Sequence, residues 1–271
     1  AAIYLGLEVV SKLGFSALQA LGLGVQFIAL AYLLLGVVSL VLMTSAYDLS
    51  PSGGASGATA EADAPTPESK LATAASLWSD PVLWLLAPTN FTFGFSAAYM
   101  NGFVNGTYAT QELGRNSVAG LGAVTALVAA GLARAYGPLS GQVGKGPVLC
   151  LGALSFVCIP LATTLLGCCS GWGWSVLALY VLQGSGRAVY ESTNRAVFSD
   201  FFQGDRTDGA FANSQLQSSL AFALCFFLQG SLGSEQLQTI VLALALLTPP
   251  GYFLAEQLRS AGTTERDSAP N

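Results

Sequence analysis

The chain contains no histidine. That removes the imidazole metal ligands and the commonest general base, and it rules out a histidine-based metalloprotease motif. Charge is nearly as scarce: Asp, Glu, Lys and Arg make up 9% of 271 residues, where soluble domains carry about a quarter. The net charge of -5 offers no basic field, so nucleic acid is not an expected partner. The five cysteines, Cys150, Cys158, Cys168, Cys169 and Cys225, are odd in number and lack the paired spacing of zinc or redox sites, so they read as small apolar fillers. Lysine occurs only at Lys12, Lys70 and Lys145, none within an apolar run, which excludes a retinal Schiff base. Neither a metal nor a cofactor is expected. No paired acids sit inside the apolar runs, so the expectation is that this is not an enzyme.

What the chain does have is apolar length. Hydrophobic residues are 52% of the total and the mean hydropathy is +0.57. A helix crosses the hydrocarbon core with about 20 apolar residues, each advancing about 1.5 Å. Seven stretches are expected to do so: 23-45, 82-107, 117-136, 147-167, 174-199, 211-232 and 237-257. The expected class is an all-α, multi-pass membrane bundle with the lipid bilayer as its surroundings. Ahead of the first stretch, "AAIYLGLEVVSKLGF" has an apolar run too short to cross, and reads as the outer tail of a truncated span. The chain opens at Ala1 without a basic n-region, so no signal peptide is expected and the sequence reads as a piece of something longer.

The Ser-, Gly-, Ala-, Pro- and acid-rich segment 46-79 reads as a flexible cytoplasmic linker. It separates 1-45, holding one span, from a six-span unit at 80-258, and 259-271 reads as a cytoplasmic tail. With the linker inside, Lys70, Arg134, Lys145, Arg195, Arg206, Arg259 and Arg266 fall inside, against Lys12 and Arg115 outside. The sequon Asn105-Gly106-Thr107 would fall at an outer helix end.

Two spans of the six are the most polar. One carries Asn90, Thr92, Ser96, Tyr99, Asn101 and Asn105; the other carries Gln183, Ser185, Arg187, Tyr190, Glu191, Thr193 and Asn194. Polar atoms avoid lipid, so both helices are expected to face a shared interior. Asn101 and Asn105 allow either interhelical packing or contact with a solute, since Gly94, Ala98, Gly102 and Gly106 form a small-residue ribbon on the same helix. Tyr99 is the favoured cavity residue. Within "RAVYESTNR", residues 187 to 195, the charges Arg187, Glu191 and Arg195 recur at four-residue intervals and stack on one helix face. A lone charge near mid-bilayer costs about 2.5 to 3.5 kcal/mol, so Arg187 needs a partner, and Glu191 is the nearest in sequence. One carboxylate between two guanidiniums leaves a positive surplus, either for an anionic solute or for Asp200, Asp205 or Asp208 acting as a gate. A carboxylate so placed favours its charged form, which argues against proton coupling through Glu191. In the last span, Pro249-Pro250-Gly251 is expected to kink the helix, as a hinge or as a tolerated local bend.

The segment "GPLSGQVGKG", residues 137 to 146, supplies Gly137, Gly141, Gly144 and Lys145 to a tight turn between two spans. Its spacing resembles the signature loop of the major facilitator superfamily, with Gly141 and Gln142 where the family has an acidic-basic pair. "YVLQGSGRA" is similar to a second pattern of that superfamily, with Tyr180 in place of its arginine. "FSAAYMNGFVNGTYAT", taken with "QGSG" and the residues that run straight on from it, "RAVYESTNRAVFSDFF", resembles the Unc-ninety-three-like branch. The resemblance implies that 80-258 is a C-terminal six-helix half. It further implies alternating access for an unidentified small solute, and the polar faces of the two helices mark Arg187, Glu191, Arg195, Tyr99, Asn101, Gln183 and Tyr190 as its expected cavity or gate. The alternative it leaves open is a non-transporting regulator or trafficking chaperone with a membrane-protein partner. A seven-helix receptor fits less well, because the linker isolates one span from six.

Overall fold

The computed structural model describes residues 2–46, 67–167 and 171–268, and within them every regular element is helical. The hairpin α1 (Ala2–Ala20) and α2 (Val25–Ala46) comes first, followed by the short α3 (Pro67–Ser76). Next is α4 (Pro81–Tyr99), which runs on through a π-helical stretch, Met100–Ala109, into α5 (Thr110–Leu113). Then come α6 (Ser117–Val143) and α7 (Lys145–Leu166). Helix α8 (Leu177–Val189) passes through a second π-helical stretch, Tyr190–Asn194, into α9 (Arg195–Phe201). The chain closes with α10 (Arg206–Gln229) and α11 (Ser234–Ser268).

Three helices among the described residues are long and apolar enough to cross a membrane: Ser117–Val143, Lys145–Leu166 and Ser234–Ala261. The other four expected spans are helical but do not qualify on those terms. Gln26–Leu42 is apolar but shorter. The 82-107 and 174-199 stretches each change hydrogen-bond register at a π-helical segment, which divides them, and α10 carries Arg206, Asp208, Asn213, Gln215 and Gln217. Apolar side chains lie outside and several polar ones inside, the reverse of a water-facing surface. Leu33, Leu35, Leu127, Leu154, Leu165 and Phe227 are exposed, while Asn90, Thr92, Gln183, Asn194 and Gln217 are buried.

Helix α4 starts where its sequence says it should. Asp80 accepts a hydrogen bond from the Val82 amide at 2.9 Å, and Pro81 occupies the first helical position, where its missing N–H costs nothing. It packs against α10 and α11, whereas α8 packs against α6 and α7; α11 against α7 joins the two groups, and α1 lies along α6. One apolar cluster gathers Phe95, Tyr99, Ile159, Val176 and Leu237, and another gathers Leu83, Val148, Phe198, Phe202 and Tyr252. Between them along the helices lies a polar layer centred on Asn90. Its amide donates to Gln217 Oε1 at 2.7 Å, and its carbonyl accepts from Asn194 at 3.0 Å and from Ser214 at 2.9 Å.

The small-residue ribbon divides by position. A Cβ at Gly94 would overlap the Ser218 carbonyl of α10, and one at Gly102 would overlap the Gln229 side chain, while at Gly106 it would meet nothing within 4 Å. Gly94→Val therefore forces α4 off α10 and lowers stability by about 1–3 kcal/mol, the usual cost of overpacking. Gly106→Ala, with no neighbour to meet, stays within about 0.5 kcal/mol. Thermal unfolding of the two variants in the same lipid checks the contrast; equal shifts would remove close α4–α10 contact as the reason for the glycine.

Several boundaries differ from expectation. The end of the linker is ordered: α3 and the following turn Leu77–Ser79 dock on α10, with Trp78 donating to Asn213 Oδ1 at 2.6 Å and Asn213 donating to the Ala74 carbonyl at 2.8 Å. Leu77 is buried there, and this apolar anchor is what the linker's composition concealed. The expected flexible portion at 47–66 lies outside the described residues, as do Cys168 and Cys169. The tail from 259 is helical to Ser268, and Pro249 and Pro250 sit inside that helix without ending it. Gly251 allows the Leu85 carbonyl of α4 to approach.

Candidate functional site

Helix α8 can sit deep between its neighbours because of its glycines. At Gly184 a Cβ would stand 2.8 Å from the Thr125 carbonyl of α6, and at Gly186 it would stand 2.5 Å from the Phe156 ring of α7. The spacing of "QGSG" thus admits a helix on each side and turns Gln183 toward α4, where its Oε1 accepts from Ser96 at 2.8 Å. One turn further on, Arg187 meets a residue from far away in sequence. Its Nη1 donates to Glu8 Oε1 at 2.8 Å and its Nη2 to Glu8 Oε2 at 2.5 Å, a bidentate pair joining α8 to α1. The side chains are 14% and 20% exposed. Lys12 stands 2.9 Å from Glu8 Oε1 and donates to the Gly122 carbonyl of α6 at 3.2 Å.

This corrects the expectation that Glu191 is the main partner of Arg187. Glu191 is 3.9 Å from Arg187 and 2.6 Å from Arg195, and the latter approach lacks hydrogen-bond alignment. The favourable Glu-to-Arg order along the helix draws Glu191 to Arg195. A carboxylate arriving from another helix presents both oxygens to the guanidinium fork, which Glu191 does not do here. Nor, among the described residues, does an aspartate answer Arg187: Asp200 pairs with Lys145, and Asp208 with Lys70 at 3.3 Å.

Arg187 and Lys12 line a cavity of about 300 Å³ together with Asn101, Asn105, Tyr180 and Gln183, and with apolar walls that include Phe15, Phe93 and Met100. A second, more open space of about 330 Å³ continues from Phe93, Ala97, Asn101 and Arg187 to Gln215 and Ser219 of α10. Lys12 lines the first cavity. Asn101 is exposed there, and Asn105 accepts from the Tyr180 hydroxyl and donates to the Asn101 carbonyl at 3.1 Å, so its amide is already engaged within a helix.

Two expected cavity residues lie elsewhere. Tyr99 is 0% exposed, its hydroxyl 3.1 Å from Thr163 of α7 and its ring stacked on Phe103. The face of α4 that carries Tyr99 is the one α7 covers. Tyr190 stacks on Phe93 with ring centroids 3.9 Å apart and donates to Ser218 at 3.2 Å, forming a wall behind the cavity rather than its lining. Glu191 is 7% and Arg195 54% exposed, so only the second reaches a surface.

The glycine-rich turn is also smaller than expected. Helix α6 continues through Gly137, Pro138 and Gly141 to Val143, and Gly144 alone turns the chain, at φ +89° and ψ +163°, a region essentially reserved for glycine. Lys145 begins α7, pairs with Asp200 and donates to the Ala196 carbonyl at 3.1 Å. The cation of this segment therefore ties α7 to α9.

Glu8 and Lys12 were missed because their segment looked too short to matter. The signal was present: opposite charges four apart in an otherwise apolar run share one helix face, and such charges need an interior to face. Comparison with protein-family models gives no match to this chain, and comparison with curated proteins gives none either.

Proposed function

We propose that this chain is a multi-pass membrane protein of the major facilitator type that moves a small solute by alternating access. One observation carries the reading: a cavity between helices, lined by an arginine, a lysine and three side-chain amides, inside a bundle whose outer surface is apolar. Charged groups at that depth are costly, and solute pathways are where membrane proteins retain them. The resemblances in "GPLSGQVGKG" and "YVLQGSGRA" support the same reading, as does the polar contact between the two helices expected to share an interior, Ser96 to Gln183 and Asn194 to Asn90.

The test is uptake into vesicles carrying the chain, with a panel of labelled organic anions, cations and neutral solutes. Arg187→Met, reconstituted below its lowered unfolding midpoint, is expected to cut the flux of a transported solute at least about ten-fold per folded protein, as loss of a charge-assisted contact does. A second reading, a non-transporting regulator, is favoured by the fact that both Nη atoms of Arg187 are already taken by Glu8. Absence of flux for every solute, together with a membrane-protein partner lost in Arg187→Met, would decide for that reading.

A further inference from the structure

Charge around the cavity does not balance. Glu8 is answered twice, by Arg187 and by Lys12, which leaves one positive charge over. Among the described residues every other element facing the space is uncharged there: Asn101 and Asn105 follow α4, Gly122 and Thr125 belong to α6, and Gln215 and Ser219 to α10. Glu191 is drawn to Arg195 and does not remove the surplus.

The bidentate grip of Arg187 on Glu8 is that of a guanidinium on a carboxylate, and Glu8 is a carboxylate tethered to α1. Arg187 Nε is buried and makes no hydrogen bond among the described residues, so the pairing with Glu8 leaves one donor of the fork unused. An unused buried donor penalises the paired state and favours exchange for an acceptor that serves the fork better. The rest of the lining is mixed: Asn101, Asn105, Thr125 and Gln183 bring polar groups, while Phe15, Phe93, Met100 and Val118 form an apolar wall against which an apolar body can lie.

We propose that the cavity binds a small monocarboxylate with an apolar body, and that its carboxylate takes the place of Glu8 on Arg187 while Lys12 retains Glu8. The exchange releases the tie between α1 and α8, so occupancy loosens α1 from the bundle. This rests on the reading of the cavity as a solute site and names its solute class.

The experiment is equilibrium binding to the chain in lipid nanodiscs, with benzoate, benzamide and benzylamine as probes. Benzoate is expected to bind and the other two not. Glu8→Gln, which keeps the shape but no longer competes as an anion, is expected to tighten benzoate about ten-fold, and Arg187→Lys, which keeps charge without the fork, to weaken it by a similar factor. Lys12→Gln leaves Glu8 to Arg187 alone and is expected to weaken benzoate. Spin labels on α1 and α8 add a reading independent of affinity: benzoate is expected to widen their separation.

Unchanged benzoate affinity in Glu8→Gln, or an unchanged label separation at saturating benzoate, overturns the exchange. Benzamide or benzylamine binding as well as benzoate overturns the anion class and leaves the solute-site reading in place. Absence of benzoate binding in both the unaltered chain and Glu8→Gln overturns the proposal outright. Benzoate binding that follows the expected order while vesicles move no solute keeps this site and removes transport.

Discussion

Arg187→Met is expected to lower the thermal unfolding midpoint of the chain sharply, and Glu8→Gln added to it to restore most of the loss. Removing one member of a buried ion pair costs about 3–5 kcal/mol, largely because the other charge is left without its counterpart. Here the group left behind is Glu8, 20% exposed, which keeps Lys12 at 2.9 Å, so the loss is expected at the lower end of that range. Replacing both members takes away the attraction and the carboxylate together; Lys12 then loses Glu8 but is 36% exposed and can be hydrated, so the double change is less costly. The double-mutant cycle reads this coupling directly, through unfolding midpoints of the four proteins in one lipid. Additive midpoints would mean that the pair joining α1 to α8 contributes nothing. Glu191→Gln supplies the contrast: at 3.9 Å from Arg187 it should show a much smaller coupling to position 187.

Asn90→Leu is expected to cost almost as much, for a different reason. Asn90 is 0% exposed, and its side chain serves Gln217, Asn194 and Ser214 at once, tying α4 to α10 and to the π-helical stretch after α8. Interhelical hydrogen bonds in membrane bundles average about 0.6 kcal/mol, so three sum to about 2 kcal/mol. Stranding buried partners adds to this, and the total is on the order of 3 kcal/mol. Thr92→Val removes one contact, 3.3 Å to Thr248, and should fall below about 1 kcal/mol. The measurement is again the unfolding midpoint, paired with benzoate binding. Asn90 does not line the cavity, so stability should fall without a selective loss of affinity in the folded fraction. A selective loss would move Asn90 from the polar layer to the solute site.

The two residues separate the roles that polar groups play inside this bundle. Asn90 is satisfied on every side by uncharged neighbours and acts in packing. Arg187 is held by a charge on a different helix and borders open space, which is where an exchangeable contact belongs. The glycines of "QGSG" make the second arrangement possible by letting α6 and α7 close around α8.

Much of this is readable in the residues themselves. Scarce charge and apolar runs point to helices long and apolar enough to cross a membrane, as found among the described residues, because a backbone away from water must satisfy its own hydrogen bonds. Asp80 and Pro81 mark the start of α4, and the polar residues of two helices meet as their solvation requires, since Ser96 reaches Gln183 and Asn194 reaches Asn90. Four-residue spacing does place Glu191 beside Arg195. All of these are local or periodic properties, carried by the geometry of one helix.

What tertiary structure alone decided is which groups answer which. Glu8 and Arg187 are 179 residues apart, and no periodicity relates them; only the packing of α1 along α6 brings them together. Tyr99 and Asn101 lie two residues apart, yet one is sealed against Thr163 and the other opens on the cavity, because the neighbours of α4 cover one face and not the next. Sequence determines the elements and their polar faces, since those follow from each residue's own solvation and helix geometry. The partner of a buried charge depends on which helices pack side by side, and that is settled by the whole bundle at once.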